Sequence, residues 1–200
     1  MTIESYLRST YTIDCEEKSL KETAQTLNGC QETAIEKAVT LFYFVRDQIK
    51  YNPYVPLYTL DDNKASATLK RGEGYCVQKA ILMTAMARAL GIPARLGFAD
   101  IRNYILPEKI AKAMKGNNLF IYHGYVALYL DGKWVKATPT FGREMCEENE
   151  IIPVEFDGRN DAQFLRYNKE GKLHIEYVQD HGYYDDLPWE QMCEARTGHY

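Results

Sequence analysis

The sequence predicts a single α+β domain, and three stretches carry that expectation. Arg71-Gly72-Glu73-Gly74-Tyr75-Cys76 leads into Ala80, Ile81, Met83, Ala85, Met86, Ala87, Ala89 and Leu90, apolar almost all round, as in a central helix packed on several sides. Ahead of it, Ile35, Ala38, Val39, Phe42, Val45 and Ile49 fall on one helical stripe between Glu32 and Lys50. Beyond it, Gly124–Leu130 and Lys133–Thr138 flank Asp131-Gly132, the dipeptide preferred in two-residue hairpin turns.

In chain order, Tyr11–Ile13 reads as a short extended piece, and Glu16–Leu27 as a modest helix that stops at Asn28-Gly29. The helix of residues 32–50 is ended by Pro53 and Pro56, each of which disfavours helix in itself and its predecessor. A helical turn over Ala65–Leu69 then delivers the chain to the glycine loop, where Gly72 and Gly74 let it bend sharply before Cys76. Gly91 sits where a left-handed C-terminal cap belongs, and Pro93 blocks any continuation. Ala94–Phe98 is the next strand. Asp100–Asn118 is an excursion with a short amphipathic helix over Pro107–Met114. After the hairpin come a helical turn at Cys146–Asn149, a second hairpin from Phe164–Tyr167 and Leu173–Val178, and a closing helix over Pro188–Arg196. No repeat or linker divides the chain.

Composition excludes several functions. With 24 basic and 28 acidic residues the net charge is −4, and no basic run offers a footprint for nucleic acid. No apolar segment approaches the roughly 20 residues needed to cross a bilayer, and Met1–Tyr6 lacks the features of a signal peptide. Five cysteines, an odd number scattered without a CxxC pair, imply reduced thiols in a cytoplasmic setting, with no metal and no cofactor. The 16 tyrosines fit half-buried sheet positions better than a cleft lining. Arg71-Gly72-Glu73-Gly74 lacks the Gly-Lys-Ser/Thr ending of a phosphate-cradling loop, which sets nucleotide binding aside.

Cys76 is the candidate nucleophile. At a helix N-terminus a thiol meets unpaired N–H groups and the positive end of the helix, which favour thiolate. An inert buried cysteine is the competing reading. A nucleophilic cysteine needs a base, usually histidine. His174 lies in an alternating segment, His181 in an Asp-His-Gly turn and His199 near the end, whereas His123 begins the hairpin. A two-residue turn pairs Tyr129 with Trp134, Ala127 with Lys136, Tyr125 with Thr138 and His123 with Thr140. That register puts His123, Thr138 and Thr140 on one face, with Thr138 at the diagonal position of an orienting partner for the imidazole. The backbone N–H of Cys76 would supply one oxyanion donor, with Tyr51 or Asn52 as the second and Tyr75 as a further substrate-binding candidate.

Gly74-Tyr75-Cys76, Ala89-Leu90-Gly91-Ile92-Pro93-Ala94-Arg95, His123-Gly124-Tyr125-Val126 and Asp131-Gly132-Lys133-Trp134-Val135-Lys136-Ala137-Thr138-Pro139-Thr140 together resemble the transglutaminase-like superfamily. The resemblance spans residues 35–141, leaving 142–200 as a C-terminal extension of the same domain. It implies a papain-like fold, in which a helix bearing the cysteine packs on an antiparallel sheet bearing histidine. Cys76 would be the nucleophile and His123 the base, and the family's aspartate falls on Thr138. A threonine hydroxyl can accept the ring N–H without a charge, and papain-like proteases work with a neutral asparagine in that role. Asp100 and Asp157 are the carboxylates that could substitute. Arg71-Gly72 ahead of Cys76 also resembles arylamine N-acetyltransferases, although the chain is short for that family and their aspartate is missing too.

The implied activity is hydrolysis of a peptide or amide bond through a thioester. The alternatives are transglutaminase-type transfer to an amine, or a binding module that has lost the chemistry. The sequence is silent on substrate identity and oligomeric state.

Overall fold

Local capping fixes the first helices. The computed structural model describes residues 2–55, 59–105 and 116–197. Helix α1 (Lys18–Leu27) starts where the Glu17 carboxylate accepts from Ser19 N–H at 2.6 Å. Helix α2 (Ala34–Gln48) starts at a capping box, in which Thr33 Oγ1 accepts from Glu36 N–H at 3.2 Å and the Glu36 carboxylate from Thr33 N–H at 2.9 Å. Strand β1 (Lys50–Tyr51) follows, then α3 (Ala65–Arg71), which Gly72 closes at φ +72°. Strand β2 (Glu73–Gly74) pairs in parallel with β1 and leads directly into α4 (Cys76–Ala89). Gly91, at φ +76°, turns the chain out of α4 as the sequence predicts.

A four-stranded sheet forms the second layer. It comprises β3 (Ala94–Asn103), β4 (Leu119–Leu130), β5 (Lys133–Ala137) and β6 (Ile175–Tyr184), antiparallel throughout in the order β5-β4-β3-β6. Helix α5 (Arg143–Glu148) follows β5, and α6 (Trp189–Thr197) follows β6. Helix α4 lies between this sheet and α1, α2 and α3. Its side chains from Val77 to Arg88 are all buried, against Leu96, Phe98, Val126 and Leu128 on the sheet side. Two buried basic side chains on α4 satisfy backbone carbonyls. Lys79 Nζ donates to Arg46 O (3.0 Å) and Ile49 O (2.7 Å), capping the end of α2. Arg88 donates to Ala94 O, Arg8 O and Asp185 O at 2.7–2.9 Å, tying both ends of the chain to the helix.

The hairpin register is the predicted one, with Leu130 opposite Lys133, Tyr129 opposite Trp134 and Ala127 opposite Lys136. It ends at Val126 opposite Ala137, one pair short of Tyr125–Thr138. There the chain takes a new partner: Thr138 N–H donates to Ala162 O (2.9 Å), and Ala162 N–H to Lys136 O (2.8 Å). The second hairpin reduces to a single bridge between Tyr167 and Leu173, while β6 runs on to Tyr184. Asp180-His181-Gly182 is therefore not a turn but a bulge inside β6, made possible by Gly182 at φ +81°. Tyr11–Ile13 forms no strand; Asp186 instead accepts from the Tyr11 and Thr12 backbone N–H groups. The Cys146–Asn149 turn is α5, which starts three residues earlier at Arg143. The helix read over Pro107–Met114 lies outside the described residues. No helix among the described residues is long and apolar enough to cross a membrane.

Candidate active site

Cys76 is the first residue of α4, and that turn lies directly on β4. Gly124 permits the contact, because a Cβ there would meet Val77 Cα at 2.9 Å. Burial pushes the Cys76 thiol above its usual range. The Gly124 N–H, the charge of Arg196 and the N–H groups of Val77 and Cys76 draw it down, in that order, without overcoming burial. The helix terminus thus acts on the thiol as the sequence predicts, but desolvation is the larger effect.

His123 reaches its place through a bulge. Ala99 pairs with His123 and Ile101 with Phe120, so Ile121 and Tyr122 stand opposite Asp100 alone. Tyr122 takes φ +52°, a left-handed conformation that a bulky residue adopts only where its surroundings hold it. Asp100 does so: its Oδ1 accepts from Tyr122 N–H at 2.9 Å and lies 2.7 Å from His181 Nε2. The rings of Tyr122 and His181 stack at 4.2 Å and 7°. Since His181 is itself a bulge residue of β6, one carboxylate pins irregularities on both neighbours of β3. Asp100 is therefore committed to the bulge and does not serve His123 as an orienting carboxylate. Asp157, the other such candidate, closes its own turn, accepting from the N–H groups of Arg159 and Asn160 at 2.8 Å each.

The His123 ring is buried beside Phe164, centroids 5.1 Å apart, and its Nε2 has no hydrogen-bond partner among the described residues. Burial pushes its pKa down to about 3, so the imidazole is neutral at pH 7. Cys76 and His123 line one cavity of about 40 Å³, with Tyr51, Thr140, Phe141 and Phe164 among its walls. Tyr51 and Met145 also border a wider groove of about 870 Å³ between the end of α2 and α5.

Thr138 is not a wall of that cavity; Thr140 is. The Thr138 hydroxyl is buried, has no hydrogen-bond partner within 3.5 Å among the described residues, and lies near the Tyr177 phenol. Burial raises that phenol to about 12. Tyr177 Oη accepts from Phe164 N–H at 3.3 Å, which fixes the ring of Phe164 against His123. The orienting contact between Thr138 and His123 is thus not made, because β5 leaves the ladder before reaching it. Of the oxyanion candidates, Tyr51 lines the cavity, whereas both donor groups of Asn52 have partners on β2: its N–H in Gly74 O (3.0 Å) and its Nδ2 in Glu73 (3.2 Å). Tyr75 Oη accepts from Arg196 Nη2 at 3.0 Å. Of the residues around this centre, Thr140 lines the cavity and had a signal in its predicted place opposite His123, whereas nothing in the sequence pointed to Arg196. His174 is buried and does not line the cavity; its ring lies 6.1 Å from that of Phe164. All five cysteines are free thiols, and no group of three metal-ligating side chains occurs among the described residues.

A family model described as the transglutaminase-like superfamily matches residues 21–139. Among solved structures, the chain is similar to a candidate cysteine protease from Cytophaga hutchinsonii, with 17% identity and a TM-score of 0.55 over 90% of this chain and 54% of that one. It thus spans about half the length of that protein. An arylamine N-acetyltransferase from Salmonella typhimurium is similar at 13% identity and a TM-score of 0.51, over 92% of this chain and 70% of that one. At such identities the likeness is one of fold. No curated protein matches the chain.

Proposed function

Because the chain belongs to the transglutaminase-like superfamily, we propose that it is a cysteine-dependent enzyme that cleaves a peptide or amide bond through a thioester on Cys76. In the first half-reaction the Cys76 thiol passes its proton to His123 and the sulfur adds to the carbonyl carbon. The carbon–nitrogen bond then breaks, and the amine leaves with the proton returned by His123. In the second half, water gives a proton to His123 and its oxygen attacks the thioester. The acid departs and the proton goes back to sulfur. The N–H of Cys76, with Tyr51 beside it, faces the developing oxyanion. The setting proposed for this activity is the cytoplasm, where the five free cysteines would stay reduced.

The observation that carries the proposal is the common cavity of Cys76 and His123, at the point where α4 meets β4. A neutral His123 is in the correct state to accept a proton. The His123 Nε2, without a partner among the described residues, and the Thr138 hydroxyl outside the cavity favour the second candidate, a binding module on the same fold without turnover. An activated ester such as p-nitrophenyl acetate separates the two. An enzyme acquires an acetyl group on Cys76, seen by mass spectrometry and lost in Cys76→Ala, whereas a binding module acquires none. Adding a primary amine then divides hydrolysis from transfer: free acetate as the main product supports hydrolysis, and the acetylated amine supports transfer.

A further inference from the structure

Near neutral pH the phenols and the imidazole around Cys76 carry no charge. Burial raises Tyr51 on β1 far beyond the ordinary phenol range and Tyr75 to about 12. Tyr177 on β6 stands at about 12 for the same reason, and His123 is held down at about 3. Cys193, on α6, faces Tyr75 as well. One guanidinium differs. Arg196, in the last turn of α6, donates from Nη2 to Tyr75 Oη at 3.0 Å, and its Cζ lies 5.9 Å from the centre of the Tyr75 ring. Tyr75 is the N-cap of α4, so this anchor ties a cation from the C-terminal helix to the residue next to Cys76.

We propose, on the reading that Cys76 is the nucleophile, that Arg196 is a positioning residue whose guanidinium, anchored on the phenol of Tyr75, holds a permanent positive charge at the start of α4, within electrostatic reach of the thiol. When the thiol gives its proton to His123, the charge left on sulfur then has a fixed counter-charge. The aspartate of the family pattern would act only indirectly, by stabilising the imidazolium, and Thr138 makes no such contact with His123 here. Arg196 acts on the thiolate itself, and a guanidinium keeps its charge at every working pH. Among cations it exerts the strongest downward pull on the Cys76 thiol. It also gives the C-terminal extension a chemical task, because α6 lies beyond the matched family segment of residues 21–139.

The test is the pH dependence of Cys76 alkylation by iodoacetamide, followed by peptide mass spectrometry in the full chain. In Arg196→Gln the midpoint should rise by about one pH unit, a roughly tenfold slower reaction at pH 7. At pH values well above both midpoints, where the thiol is ionised in both proteins, the two rates should converge. Arg196→Lys, which keeps the charge, should keep most of the wild-type midpoint. A midpoint that stays put in Arg196→Gln, or a rate lowered equally at every pH, overturns the proposal, since loosened packing alone acts that way. A midpoint raised as far in Arg196→Lys as in Arg196→Gln also overturns it, and needs only the conservative variant to be folded. If wild-type Cys76 reacts no faster than the exposed Cys30, the nucleophile itself is wrong, a failure visible before any variant is compared.

Discussion

Replacing Gly124 by alanine should push α4 away from β4 while leaving every chemical group of the site in place. The backbone N–H of residue 124 remains, so only spacing changes. Gly124 is not among the glycines of positive φ, so alanine can adopt its conformation. By stiffening the unfolded chain, it would by itself stabilise the fold by about 0.4–1 kcal/mol. The sign is decided by the contact. The new Cβ meets Val77 Cα at 2.9 Å, at least 0.5 Å inside the 3.4 Å where ordinary van der Waals contact begins, and a helix backbone cannot rotate away as a side chain can. Overpacking of this kind costs about 1–3 kcal/mol, so the balance is a net loss centred on ~1.3 kcal/mol and reaching ~2.6 kcal/mol at most. With a urea dependence of about 2 kcal/mol per molar, the denaturation midpoint should fall by roughly 0.5–1 M. Because Cys76 rides on the displaced turn, its alkylation at pH 7 should slow by more than about tenfold, as misplacements of this size do at reacting centres. An unchanged or raised midpoint, together with unchanged alkylation, would refute the close approach on which the site is built.

Three further predictions concern the surroundings of His123. Asp100→Ala removes the acceptor for Tyr122 N–H and the partner of His181, and should cost about 1–3 kcal/mol in urea melts with slower Cys76 alkylation. Asp100→Asn keeps an oxygen for the Tyr122 N–H and should recover most of both; equal behaviour of the two variants would count against the pinned bulge. Thr138→Asp, the change that restores the family residue, buries a carboxylate beside Tyr177 and not beside His123. It should destabilise the protein without lowering the midpoint of Cys76 alkylation, and a lowered midpoint would show that Thr138 does reach the imidazole. His123 and His174 are bases whose folded pKa values, about 3 and about 4, lie below the unfolded value near 6.5. The unfolded chain therefore binds more protons in the interval, and stability must fall as pH drops from about 6.5 toward 4. The slope approaches about 1.4 kcal/mol per pH unit for each histidine. Urea midpoints at pH 7 and 4.5 measure it, and a flat profile would mean that neither ring is buried neutral.

What the sequence made legible was local. Asn28-Gly29 and Gly91 announce helix ends through chemistry that acts over a few residues, and Asp131-Gly132 fixes a hairpin register by turn geometry alone. Cys76 and His123 could be singled out for a similar reason, since Gly74 lies two residues before the cysteine and Gly124 directly follows the histidine. Thr138 shows where this reach stops. Its predicted place followed from extending an alternating pattern by one pair, and a parallel partner 24 residues away at Ala162 ends that pattern. Asp180-His181-Gly182 looks like a turn because glycine at positive φ serves turns and bulges alike, and only the pairing with β3 tells them apart. Lys79 and Arg88 break the apolar run of α4 in a way no periodicity explains, since the carbonyls they satisfy belong to other elements. Arg196 was invisible because its partner lies 121 residues back in the chain.

The central claim is that Cys76 and His123 act as a pair, and competitive alkylation tests it most directly. Exposure alone favours Cys30, the exposed thiol, over the half-buried Cys76 and Cys193 and the buried Cys15 and Cys146. At pH 7 and limiting iodoacetamide, the pair predicts that Cys76 is labelled first and that His123→Ala slows its labelling by about 10²-fold, a usual contribution of a positioned base. Labelling in the order of exposure, with Cys30 ahead and His123→Ala without effect, would contradict it.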